Sequence, residues 1–133
     1  MSASTGTSRE LEALFVDDGE EAVDGLLKAT LEPVVGFTRE GRIVTKALFL
    51  KLQLPAKVLA VMLARLAIVR LKVPGAKAEA TSEQLVSECM ATVKAVRECL
   101  SRLKRKNLLS KNDVGYFVPV WAVDKAVQEV RHS

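Results

Sequence analysis

Apolar residues recur at helical spacing in several stretches of this chain, and clusters of turn-forming residues separate them. Leu11, Leu14 and Phe15 share one face of a short helix over residues 9–16, which Asp17, Asp18 and Gly19 break. Ala22, Val23, Leu26 and Leu27 form the stripe of a second helix, ended by Pro33. In residues 34–54, Gly36, Gly41 and Thr38-Arg39-Glu40 mark a turn. Beyond the turn, Leu48, Leu50, Leu52 and Leu54 alternate with Phe49, Lys51 and Gln53 as in a strand. Ile43, Val44, Ala47 and Leu48 suit a helix instead, and we read a helix to about Leu50.

Pro55 suits the first turn of a long helix over 55–72, in which Lys57, Arg65, Arg70 and Lys72 are the only charges. A helix apolar on nearly every side is a buried, central one. One face should pack on the segments that follow, and the other needs cover from the N-terminal part or from a second copy of the chain. Residues 81–109 then read as two helices joined by a tight corner. Thr81 and Gln84 form a capping box, Leu85 and Cys89 share a face, and Met90-Ala91 make the corner. Thr92 caps the second helix, over 92–106, with Val96, Leu100 and Leu103 as its inner stripe. Its other face carries Lys94, Glu98, Ser101, Arg102 and Arg105. Leu108-Leu109 and Tyr116-Phe117-Val118 are strand-like, with Asn112-Asp113 and Gly115 as a tight turn between them. Pro119 closes the second strand. Trp121, Val123, Ala126, Val127 and Val130 mark a C-terminal helix in which Trp121 is expected to anchor the packing.

Charge divides the chain. Residues 1–41 hold three Lys/Arg against nine Asp/Glu, and residues 42–133 hold seventeen against seven, so −6 and +10 sum to the net +4. A basic body of this kind implies a polyanionic partner.

The run from Thr81 to Leu109 resembles the helix-turn-helix core of winged-helix DNA-binding proteins, a superfamily of bacterial and archaeal regulators. The resemblance rests on the Thr81 cap, Leu85, the Met90-Ala91 corner, Thr92, the Val96-Leu100-Leu103 stripe, the basic end Lys104-Arg105-Lys106, Asn107 and Leu108-Leu109. In that family glycine is common at the positions of Met90 and Asn107; asparagine is the next best residue at a left-handed helix end. The resemblance implies a mainly α (α+β) fold: a winged helix-turn-helix domain over 55–133 with a short hairpin wing and a C-terminal helix. An acidic N-terminal extension over 9–54 and a disordered tail over 1–8 precede it. It also implies sequence-specific binding of double-stranded DNA, with helix 92–106 in the major groove, as expected of a transcriptional regulator.

On that reading Thr92, Val93, Lys94 and Ala95 reach base edges, Val93 meeting a thymine methyl or else turning to the core. Arg97, Arg102 and Arg105 meet phosphates, Ser101 lies on the same face, and Lys111 stands near the wing tip. Glu98, in the same face, either accepts from a cytosine amine or pairs with Arg102 one turn on. A homodimer is expected through the N-terminal helices and helix 55–72.

Other chemistry has little support. One histidine, His132 in the C-terminal tail, leaves no Ser-His or Cys-His nucleophile system, and the glycines never cluster as a phosphate loop. The acidic run Asp17, Asp18, Glu20, Glu21 lacks calcium-loop spacing. No enzymatic activity, cofactor or metal is expected. Cys89 and Cys99 sit at apolar helical positions and read as buried free thiols of a reducing cytoplasm. With no signal peptide and no span of about 20 apolar residues, a soluble, cytoplasmic protein without a membrane partner is expected. The competing reading is a winged helix used for protein–protein contact within a larger nucleic-acid-processing assembly; RNA binding by the same basic face is a third.

Overall fold

The computed structural model describes residues 20–133, so the helix expected over residues 9–16 and the tail before it lie outside the described residues. The chain is mainly helical, with two small antiparallel hairpins. In order, the elements are α1 (Glu20–Leu31), β1 (Val35–Phe37), β2 (Ile43–Thr45), α2 (Ala47–Leu50) and α3 (Leu54–Arg70). They continue with α4 (Ser82–Cys89), α5 (Val93–Arg105), β3 (Ser110–Lys111), β4 (Tyr116–Phe117), a 3-10 turn (Val120–Ala122) and α6 (Val123–Arg131).

The helix α3 is the hub. Every residue from Val58 to Ala64 is buried, and α1, α4, α5 and α6 all pack against it. The uniform apolarity of its sequence is thus answered within one chain: α4 and α5 take one side, and α1 and α6 take the rest. Leu27, Leu31, Val34 and Val35 belong to the same buried cluster as Leu85, Val96, Leu100, Leu103 and Val127.

Three readings of the sequence are corrected. Residues 43–45 form a strand and not a helix, pairing Val35 with Thr45, Gly36 with Val44 and Phe37 with Ile43. The turn marked by Thr38 and Gly41 closes the hairpin: the Thr38 hydroxyl accepts from the Arg42 amide at 3.0 Å, and Gly41 takes φ +89°. Only the single turn Ala47–Leu50 is helical, with Phe49 buried beneath it. The first strand of the second hairpin is Ser110–Lys111, while Leu108 and Leu109 precede it as core residues. Trp121 does not anchor anything: it is 69% exposed, because the 3-10 turn after Pro119 directs Ala122 and Val123 inward and Trp121 out.

The corner elements agree with their sequence signals. The Thr81 hydroxyl accepts from the Gln84 amide at 3.2 Å, and the Gln84 side chain accepts from the Thr81 amide at 2.9 Å, a complete capping box. Met90 takes φ +55° at the end of α4. Thr92 caps α5 by accepting from the Ala95 amide at 3.2 Å, and Asn107 adopts φ +63° beyond its end. Among the described residues no helix is long and apolar enough to cross a membrane.

Candidate nucleic-acid interface

The sequence of α5 decides which way its charges face. Val96, Cys99, Leu100 and Leu103 are buried, and their spacing fixes the helix on α3 and α4. Everything opposite is exposed: Thr92, Val93, Lys94, Arg97, Glu98, Ser101, Arg102, Lys104 and Arg105. Within α5 that leaves five cations (Lys94, Arg97, Arg102, Lys104 and Arg105) against one carboxylate, Glu98. Val93 is 45% exposed, so its role is at the surface and not in the core. Ala95 is half-buried on the flank of the same face.

The hairpin β3–β4 is held beside this face by the strand-like residue before α4. Ala80 and Tyr116 exchange both backbone hydrogen bonds, at 2.8 and 2.9 Å. The approach is so close that a side chain on Gly115 would meet the Ala80 carbonyl oxygen at 2.6 Å, so only glycine fits. Asn112 builds the turn: its side-chain oxygen accepts from the amides of Val114 and Gly115 at 2.8 and 3.1 Å. Its Nδ2 donates to Glu79 at 3.0 Å, and this bond holds the Glu79 carboxyl below its usual range. Lys111, directly opposite Tyr116 in the ladder, rests its ammonium 5.3 Å from the ring centroid.

A cleft of about 460 Å³ joins the two parts, with Arg97 and Ser101 on the α5 side and Lys111 with the Asn112–Tyr116 turn on the other. The fold therefore brings Lys111 of the hairpin beside Arg97 and Ser101, which stand one turn apart on α5. Arg105 shares the open outer face of α5 with Arg97, Glu98, Ser101 and Arg102. Arg102 also reaches the opposite edge, where Lys106, Glu129 and His132 line a shallow depression with it.

Two ion pairs made by α4 escaped the sequence. Glu83, in the first turn of α4, lies 3.9 Å from Arg97, and its carboxyl is held below the usual range by the Ser82 hydroxyl. The pair spans fourteen positions and two helices, so no local spacing announces it. Arg65 of α3 donates to Glu88 of α4 at 2.7 Å in a half-buried ion pair that fixes α4 on the hub, and thereby the corner. Glu98 is in none of the ion pairs of the described residues, so the expected pairing with Arg102 does not form.

Both cysteines are buried and free; burial pushes the Cys89 thiol up to about 12 and raises that of Cys99. Among the described residues no three His, Cys, Asp or Glu side chains stand close enough to hold a metal ion.

The arrangement defines a class by its surface only: a helical protein that presents one basic helix beside a small hairpin. No protein-family model matches the chain, and neither a curated protein nor a solved structure matches it significantly.

Proposed function

We propose that this chain is a winged-helix protein that binds double-stranded DNA sequence-specifically, as a transcriptional regulator, with α5 lying in the major groove and the β3–β4 hairpin as its wing. The observation that carries the reading is the exposed face of α5. It bears five cations against one carboxylate, stands second in a pair of helices joined by a tight left-handed corner, and is flanked by Lys111. A helix of thirteen residues is about 20 Å long and about 10 Å across, a size the major groove admits.

In this arrangement Thr92, Val93, Lys94 and Ala95 meet base edges. Arg97, Arg102, Arg105 and Lys111 meet phosphates on either side, which sets register without reading sequence. Glu98, which forms no ion pair among the described residues, accepts from a cytosine amine. Selection from a pool of randomised duplexes tests the reading. Enrichment of a defined motif is expected, and a pool that returns unenriched while the protein is folded would contradict it.

A second reading is favoured by one observation. Trp121 at 69% and Met90 at 62% exposure are large apolar side chains facing water, as at protein contacts. On that reading the chain is a winged-helix subunit of a larger nucleic-acid-processing assembly.

A further inference from the structure

Between Val58 and Ile68 the hub helix α3 carries a single charge, Arg65. Its side chain is 19% exposed, and its Nε is buried without an acceptor among the described residues. The guanidinium faces two neighbours: one terminal nitrogen donates to Glu88 at 2.7 Å, and the other lies 3.5 Å from the Glu79 carbonyl oxygen. Glu88 stands two residues before the left-handed corner at Met90. The Glu79 carboxylate accepts from Asn112 in the hairpin turn at 3.0 Å, and Ala80, the next residue, exchanges both backbone hydrogen bonds with Tyr116. One side chain of the hub therefore touches the segment that carries the corner and the segment that carries the hairpin. Apolar packing does not fix the turn itself: Asn112, Asp113 and Val114 are exposed, and Val114 borders an open cleft of about 690 Å³ together with Arg65, Glu79 and Glu88.

We propose that Arg65 is a positioning residue for the DNA face: it sets the β3–β4 hairpin and the α4–α5 corner at one fixed offset, so that Lys111 meets the duplex in register with Lys94 and Arg97. The proposal rests on the DNA-binding reading above. A half-buried ion pair adds little stability over apolar residues of the same volume, so what Arg65 contributes in the middle of an apolar helix is geometry. Lysine is no substitute, because an ammonium is a compact point charge, whereas the planar guanidinium addresses two acceptors in fixed directions.

The test measures binding by the folded protein, well below its unfolding midpoint, to a duplex enriched by selection and to random duplex. Arg65→Lys keeps the charge, so random-duplex binding is expected to stay nearly unchanged while affinity for the selected duplex falls about tenfold, the equivalent of one base contact. A second variant, Glu79→Ala, cuts the link to Asn112 and should lower the ratio of specific to random affinity as well. Because both act along one chain of contacts, the double variant should lose less than the product of the two single losses. Amide resonances should agree, with those of Val114 and Gly115 moving together with those of Met90 and Ala91 on Arg65→Lys. If the unaltered protein binds no duplex at all, the DNA reading itself falls. If it binds, and Arg65→Lys leaves the specific-to-random ratio unchanged, this proposal alone is overturned. Hairpin amides that stay in place while the corner amides move, or losses that simply multiply, overturn it equally.

Discussion

At the scale of single residues, Lys94 and Arg102 occupy different places on α5 and should fail differently. Lys94 stands in the first turn at the centre of the exposed face, and Arg102 lies toward its edge beside Lys106 and Glu129. Lys94→Ala is expected to weaken binding to a selected site by roughly 1–3 kcal/mol while random duplex binding stays nearly unchanged. Arg102→Ala should weaken both alike. Competition titrations read the difference, and equal losses for Lys94→Ala on the two duplexes would make it another phosphate contact. A second residue, Asn112, ties the hairpin to Glu79. The folded carboxyl lies below the usual 4.5, so this contact stabilises fully above that value and is lost as pH falls through the lower folded value. Replacing Asn112 with alanine should return the Glu79 titration toward 4.5, read from its side-chain carbon shifts; an unchanged midpoint would show that Asn112 does not set it.

At the scale of elements, what was legible in the sequence was what local hydrogen bonding decides. The two threonine caps, the Gln84 reach-back, the left-handed Asn107 and the end of α1 before Pro33 each depend on residues within four positions. The β1–β2 hairpin was not legible because Ile43, Val44, Ala47 and Leu48 stand at helical spacing. The strand is chosen by its partner Val35–Phe37 and by packing on α3, neither of which is local. Trp121 misled for another reason: at helical period it lies about 160° round from Val123, opposite the Val123-Ala126-Val127-Val130 stripe, and it is exposed. The basic face itself was readable from the α5 period, but its junction with Lys111 and its Glu83 partner were not. Met90 offers a direct test of the corner. A left-handed conformation costs a non-glycine residue about 1–2 kcal/mol, and glycine gives back about 0.4–1 kcal/mol through the freer unfolded chain. Met90 is mostly exposed, so little packing is lost. Met90→Gly should therefore stabilise the protein by about 0.5–1 kcal/mol in urea unfolding, and destabilisation would mean that Met90 packs more than its exposure shows.

At the scale of the whole molecule, α3 separates two kinds of charge. The helix α1, with Asp24 and Glu32 on its surface, packs on α3 and α6, whereas α5 packs on α3 and α4. A polyanion approaching α5 thus meets the exposed cations Lys94, Arg97, Arg102, Lys104, Arg105 and Lys111. If about half of these engage phosphates at once, each contributes about 0.9 to the slope of log affinity against log salt, giving roughly −3 for one protomer and roughly −6 for two on one site. Reversing charge at Arg102 and Arg105 together should flatten that slope. Folding should survive, because both side chains are exposed and lie away from Val96, Leu100 and Leu103. The salt dependence of duplex binding by the unaltered protein is the measurement that bears most directly on the DNA reading. A steep negative slope near these values, lost on charge reversal, is the predicted result; absence of duplex binding at low salt, or a slope near zero, would contradict it and leave the protein-contact reading in its place.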